Sequence, residues 1–407
     1  MAPFHPTRRD ALKSGALFAW GGLPALARAE GRDPRLLVII LRGALDGLAA
    51  VAPVGDPGWV KLRGEKALVP GGKIAPLPLD GFFALNPAMP NLHRLYGAKQ
   101  AAFIHAASTS YRERSHFDGQ DILESGMEKP GFTDSGWLNR ALARLKADGG
   151  VKGEGRAFAV GPLTPLVARG PAPVFSWQPQ RLAPASADTT QRLLDLYGKT
   201  DPALAAALEG RLRLLALGKD GAEGERAGPA PGAARAAFAE AAGAAARYLS
   251  RPDGPRVGAM AFNGWDTHIN EGIASGALAN LLGALDGAIA AIETGLGPAW
   301  SETIVVLATE FGRTARINGA EGTDHGTGTV ALLAGGALNG GRVIADWPGL
   351  GDANLHENRD LRATTDIRAA LKGVLRDHLR VDGKHLASDV FPGSGKVAPM
   401  AGLTRAA

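Results

Sequence analysis

Leu36-Leu37-Val38-Ile39-Ile40-Leu41, followed at once by Arg42-Gly43-Ala44-Leu45-Asp46-Gly47, is the most apolar short run in the chain, and it stops abruptly. A continuous apolar run of this length, bounded by turn residues, marks a strand buried on both faces of a sheet, since a half-exposed strand alternates polar and apolar residues. The same pattern recurs at 101–105, 157–160, 257–262, 304–308 and 330–334. Helical periodicity predicts helices over 89–96, 119–125, 137–145, 191–217, 233–249, 273–294 and 365–379. Buried strands alternating with amphipathic helices predict an α/β fold, with a mostly parallel central sheet flanked by helices.

The chain has 407 residues, 45% hydrophobic and 21% charged, enough to bury a large core and too apolar to be disordered. It has no cysteine, so disulfides, thiolate metal sites and a cysteine nucleophile are excluded, and any metal must sit on His, Asp, Glu or other oxygen ligands. Most of the net charge of +5 belongs to the first 29 residues, where Arg8, Arg9, Lys13 and Arg28 outweigh Asp10. The remainder is near neutral and shows no basic run with interleaved aromatics, so nucleic acid is not an expected partner.

The same first 29 residues read as an address. Thr7-Arg8-Arg9-Asp10-Ala11-Leu12-Lys13 resembles the twin-arginine export signal, a soft apolar stretch covers 14–26, and Ala27-Arg28-Ala29 has the small–x–small spacing of a cleavage site. The stretch is too short and too rich in Gly and Ala for a stable membrane span. Residues 1–29 are therefore expected to be a signal peptide, and residues 30–407 a single domain, periplasmic or secreted. Residues 218–232 read as a polar loop between helices, within a helical insertion around 190–250.

Open parallel sheets bind ligands at the carboxyl ends of their strands. At such ends lie Asp46, the segment Arg112 to Asp118 with Arg114, Ser115 and His116, the segment Gly264-Trp265-Asp266-Thr267-His268, and Glu310 with Arg313. Asp324-His325 precedes the last strand. Asp266-x-His268 is a chelating spacing if the segment is extended, because alternate side chains share a face. A carboxylate with imidazoles suits Zn²⁺, or Mn²⁺ and Fe²⁺ if more oxygens join. Gly322 and Gly326 around Asp324-His325 let the backbone bend so that a side chain reaches inward. Each motif alone also reads as a capped turn with a surface histidine.

Glu310 could bind a metal, act as an acid or base, or pair with Arg313, which could itself hold an anion. Asp46 is a ligand or the cap of a helix begun at Gly47, and the apolar strand before it favours the ligand. Ser115 is a natural N-cap with Asp118 three residues on, while His116 stands at the helix mouth.

Taken together, Leu41-Arg42-Gly43-Ala44-Leu45-Asp46-Gly47-Leu48, Arg114-Ser115-His116-Phe117-Asp118, Gly264 to His268, Thr309-Glu310-Phe311-Gly312-Arg313-Thr314, Gly322 to Gly326 and Arg359 to Asp366 resemble the exported bacterial family called domain of unknown function 1501. That family is similar to alkaline phosphatases and sulfatases. The resemblance implies an alkaline-phosphatase-like fold, with Asp46 matching a ligand of one metal and Asp266, His268 and His325 matching ligands of another. The pattern departs at Phe311, where an imidazole is usual, and at His116, which falls where a Thr, Ser or Cys nucleophile is expected.

The expected function is an exported metal-dependent hydrolase of a small phosphate or sulfate ester. Zn²⁺ is the first choice of metal, with Mn²⁺ or Ca²⁺ as alternatives, held by Asp46, Asp266, His268, Asp324 and His325. His116, Ser115 and Glu310 would serve as nucleophile or proton carriers, and Arg114 and Arg313 would steady the transferred group. The alternative is a non-catalytic binding or assembly protein on the same fold, working with a second exported protein.

Overall fold

Each of the six apolar runs becomes a strand of one sheet. The computed structural model describes residues 32–131, 133–147, 157–161, 163–177, 187–218 and 233–405. The expected signal peptide and nearly all of the 218–232 loop lie outside the described residues. The strands are β1 Arg35–Arg42, β2 Val51–Ala52, β3 Leu77–Pro78, β4 Ala84–Leu85, β5 Ala101–Ser108, β6 Ala157–Val160, β7 Val174–Trp177, β8 Val257–Asn263, β9 Thr303–Ala308, β10 Thr329–Ala334, β11 Arg342–Ile344 and β12 Thr365–Asp366. The principal helices are α1 Gly47–Ala50, α2 Trp59–Arg63, α3 Pro90–Gly97, α4 His116–Ser125, α5 Trp137–Ala147, α6 Ala187–Thr200, α7 Pro202–Gly218, α8 Ala233–Ser250, α9 Ala277–Leu296 and α10 Ile367–Asp377.

The main sheet runs β11-β5-β10-β9-β1-β8-β6-β7, with β12 beside β5, and β2-β4-β3 form a small separate sheet. β1 pairs in parallel with β8 and β9, β6 with β8 and β7, and β5 with β11 and β12. β10 pairs antiparallel with both β5 and β9, so among the described strands of this sheet it alone runs against the rest. The start of β10 therefore lies at the same edge as the carboxyl ends of its neighbours. A histidine that precedes a strand can in this way join groups that follow strands.

The unbroken apolarity of β1 has a direct cause. Leu37, Ile39 and Leu41 enter one core with Leu282, Leu285, Ile289 and Ile292 of α9. Leu36, Val38 and Ile40 enter the other with Leu138, Ala141 and Leu142 of α5 and Leu371, Val374 and Leu375 of α10. Alternate side chains leave opposite faces, and both faces are covered. α9 is long and apolar enough to cross a membrane by composition, but its buried stripe against the sheet accounts for that apolarity.

The single helix expected over 191–217 is two. Asp201 ends α6 and caps α7, accepting from the Leu204 N–H at 3.0 Å. Pro202 opens α7, where its missing N–H leaves no bond unmade.

Candidate metal centre

Four chain segments meet at the carboxyl edge of the parallel strands. β1 leads into Gly43 at φ +117°, and a Cβ there would stand 2.6 Å from the Asp266 nitrogen. Glycine thus lets the loop after β8 close against the loop after β1. β5 leads to α4, whose first residue is His116. α4 approaches the β9 loop across Gly119, where a Cβ would meet the Phe311 ring at 2.9 Å. The Asp324-His325 segment is held by an isolated bridge between Arg313 and His325 and then enters β10.

These segments bring three imidazoles and one carboxylate together. His325 Nε2 lies 2.9 Å from His116 Nε2 and 3.0 Å from His268 Nε2. Asp266 Oδ1 lies 3.0 Å from His268 Nε2 and 3.2 Å from His325 Nε2, and Oδ2 lies 3.5 Å from His116 Nε2. His116, Asp266 and His325 form a group able to hold one metal ion.

The opposite ring nitrogens decide what these separations mean. Nδ1 of His116 faces Glu310 Oε1 at 2.8 Å, Nδ1 of His268 faces Asp324 Oδ1 at 3.3 Å, and Nδ1 of His325 faces the Arg114 carbonyl at 3.0 Å. Carboxylates and carbonyls only accept, so each Nδ1 carries a hydrogen and each ring turns its Nε2 towards the Asp266 carboxylate. His325 Nε2 stands 2.9 Å from His116 Nε2 and 3.0 Å from His268 Nε2, and ring nitrogens this close are held best with a cation beside them. Zn–N bonds of about 2.0–2.1 Å in a tetrahedron set neighbouring donors about 3.3 Å apart, close to the separations among His116, Asp266 and His325. Imidazoles whose second nitrogen is tied to a carboxylate or carbonyl are the usual form of metal-binding histidine. The donor set fits a divalent metal of the zinc type.

Charge is graded across the group. The hydrogen bond to Glu310 raises His116 above the ordinary imidazole value. Burial, then the charge of His116, lowers His325. Burial pushes Glu310 up, but bonds from His116, its own backbone, Gln120 and Gly43 outweigh it and leave the carboxyl below its ordinary value. For Asp266 too, burial is outweighed, here by the Arg313 hydrogen bond and charge, and the net direction is down.

Several expected roles change. Asp46 is not among the converging groups: its carboxylate accepts both Arg63 Nη1 (2.5 Å) and Nη2 (3.0 Å), and Oδ1 caps α1 through the Ala49 N–H. The helix-cap reading is the right one. Asp324 orients His268, with Asn318 Nδ2 also donating to Oδ1 at 3.1 Å. Glu310 is fully buried and holds His116 rather than facing an ion. Arg313 donates to Asp266 Oδ1 at 2.5 Å and to the Thr323 hydroxyl and carbonyl, so it fixes the carboxylate and has little left for an anion.

Arg114 pairs with Asp360 and Glu357 and contributes its backbone carbonyl. Ser115 occupies the N-cap position of α4 without a side-chain cap bond, and Asp118 accepts from the Tyr111 hydroxyl instead of closing a capping box. His116, expected to attack or carry protons, has both nitrogens engaged. Phe311, buried, stacks on His116 with centroids 5.0 Å apart and walls off that side of the group. Sequence reading missed Gln120, which steadies Glu310 at 3.1 Å, and Arg359, which donates to the His325 carbonyl at 3.2 Å. Arg359 opens one of the stretches that carry the family resemblance, but what either residue does depends on a partner more than thirty residues away.

Residues 105–391 match the model of a family described as Protein of unknown function (DUF1501). Comparison with curated proteins gives no match. Among solved structures the chain is similar to Ps i-CgsB in complex with k-i-k-neocarrahexaose, at 11% identity, with 90% of this chain and 77% of that one covered and a TM-score of 0.43. It is similar to the PsFucS1 sulfatase from Pseudoalteromonas sp. (15%, 83% and 68%, 0.36) and to alkaline phosphatase from the Antarctic bacterium TAB5 (12%, 77% and 95%, 0.32).

Proposed function

Since the chain belongs to the DUF1501 family, whose activity its description leaves open, we propose that it is a divalent-metal-dependent hydrolase of a phosphate or sulfate ester, working after twin-arginine export. The observation that supports this reading is the inward convergence of His116, His268 and His325 Nε2 on the Asp266 carboxylate, each ring oriented from behind. A divalent metal bound there supplies Lewis acidity towards an ester oxygen and lowers the pKa of water.

The chain's own residues do the rest. Glu310 keeps the His116 hydrogen on Nδ1, Asp324 does the same for His268, and Arg313 holds Asp266 in place. Phe311 excludes water from behind His116. With both His116 nitrogens engaged, the reading favours attack by water over attack by a side chain.

The test is elemental analysis of protein exported by its own signal, beside His268→Ala, with turnover of aryl phosphates and sulfates in added Zn²⁺, Mn²⁺ or Ca²⁺. About one metal per chain, lost in the variant together with turnover, is the expected result. Wild-type protein without metal and inert to every substrate would overturn the reading. Metal without turnover would favour the second reading, a binding or assembly protein, for which the apolar Phe311 wall is the supporting observation. Accumulation of the protein in the cytoplasm would count against export.

A further inference from the structure

An ester anion at this centre needs a cation with free donors, and the two arginines expected to provide one are committed. Arg114 donates to Asp360 and Glu357, and Arg313 to Asp266 and Thr323. An incoming oxyanion would have to displace a carboxylate from either. Arg112 folds back on its own loop, donating to the Thr109 and Tyr111 carbonyls.

Arg359 is differently placed. It follows Glu357 and Asn358, whose φ values are 52° and 55°, and its N–H donates to the His356 carbonyl at 3.0 Å. Two successive left-handed residues closed in this way form a type I′ turn, a stiff hairpin connection. Two backbone bonds and one from a neighbouring side chain hold the hairpin. His356 N–H donates to the Asp360 carbonyl (2.8 Å), Ala315 N–H to the Arg359 carbonyl (3.0 Å) and Arg316 Nη1 to the Asn358 carbonyl (2.8 Å). Asp360 beneath it is fully buried under Arg114.

From this base the Arg359 side chain reaches the backbone of the segment that carries His325. Nη2 donates to the carbonyl of His325, the imidazole that touches both of the others, and Nε stands 3.5 Å from Asp360 Oδ1. Nη1 has no partner among the described residues, and the side chain is 46% exposed. A guanidinium with a free Nη1, on a rigid turn against the segment that carries His325, matches a tetrahedral oxyanion, which the planar fork can grip through two oxygens.

We propose that Arg359 binds the non-bridging oxygens of the substrate's phosphate or sulfate group and thereby selects anionic esters. The inference builds on the hydrolase reading, but it can be tested separately. Calorimetric titrations with inorganic phosphate and with sulfate, on zinc-loaded and on metal-free protein, compare wild type with Arg359→Gln and Arg359→Lys. Arg359→Gln is expected to weaken the preferred anion at least tenfold. Arg359→Lys is expected to recover part of that loss, because a point charge replaces the fork. Zinc affinity and Tm should stay at wild-type values in both, since backbone bonds hold the hairpin.

Which anion binds more tightly assigns the ester class. The proposal is overturned if Arg359→Gln binds both anions as wild type does, if wild type binds neither, or if the affinity loss comes with a matching loss of zinc or of Tm. Should wild type take up no zinc, the hydrolase reading fails. The metal-free titration then still decides for or against Arg359.

Discussion

Glu310→Gln isolates the charge behind His116 from its shape. Oε1 accepts from Gly43 N–H (2.8 Å), His116 Nδ1 (2.8 Å) and Gln120 Nε2 (3.1 Å), and Oε2 accepts from the Thr309 hydroxyl (3.0 Å). A glutamine can put its oxygen where Oε1 stands and keep three of these bonds. Its NH₂ then faces Thr309 Oγ1, whose hydroxyl can turn to accept. The geometry survives and the negative charge goes.

Exchanging a charge-assisted bond for a neutral one costs about 1 kcal/mol. Loss of a group behind a metal-binding histidine lowers metal affinity about 10- to 100-fold, which is about 1.4–2.7 kcal/mol. The assay is competition for zinc against a chromophoric chelator at fixed pH, with circular dichroism and Tm as controls. Zinc affinity within twofold of wild type, in a variant that is folded, would refute the argument that Glu310 sets the basicity of His116.

Three further expectations follow from buried charge. Arg63→Met leaves Asp46 buried without its partner, and a broken buried pair costs about 3–5 kcal/mol, so urea unfolding should show a large drop. A change under 1 kcal/mol would mean that the pair is not what seats α2 on α1. His105 and His378 are fully buried and burial pushes each down to about 4, so both are neutral when folded. Their contribution is present above pH 6.5 and is lost as pH falls towards 4, where only the unfolded chain takes up the protons. It amounts to roughly 3 kcal/mol each. Tm measured from pH 7 to pH 4.5 should fall steeply, and a flat profile would contradict the burial argument.

Burial, then the charge of Asp46, pushes Glu271 up to about 8 against the pull of Arg63. Its contribution is full below pH 4.5 and is lost as pH rises towards 8, because the unfolded chain releases a proton that the native one keeps. Glu271→Gln should therefore gain stability on wild type as pH rises through that window, with Thr267 still donating to its oxygen. An identical pH profile in the two proteins would sink this expectation.

The sheet was legible because its strands carry the signal in every residue. β1, β5, β8, β9 and β10 are covered on both faces, so each reads as an unbroken apolar run without knowledge of its neighbours. β7 was not legible: at the sheet edge Val174 and Phe175 are only partly covered and Ser176 is exposed, so no run survives there. β2, β3 and β4 are two residues each, too short for any period to register.

At the site, Asp266-x-His268 could be found because both groups lie two residues apart on one short segment. Asp46 was misassigned because its partner Arg63 comes from α2, and nothing in the residues around Asp46 announces a buried guanidinium. The place of His116 among the imidazoles is a property of four loops together. Its own sequence, at a helix start, says only that it stands at a mouth.

The reversed course of β10 has a consequence for how faithfully the chain must be threaded. Only residues 326–328 separate His325 from that strand, which lies between β5 and β9 and already shifts register between Thr329 and Val330. A slip of a single place would carry the imidazole about 3.3 Å along the strand direction and exchange the two faces of the sheet. The meeting of His325 with His116 and His268 is thereby a gauge of correct weaving at the heart of the molecule, and a misthreaded copy would betray itself by keeping those rings apart.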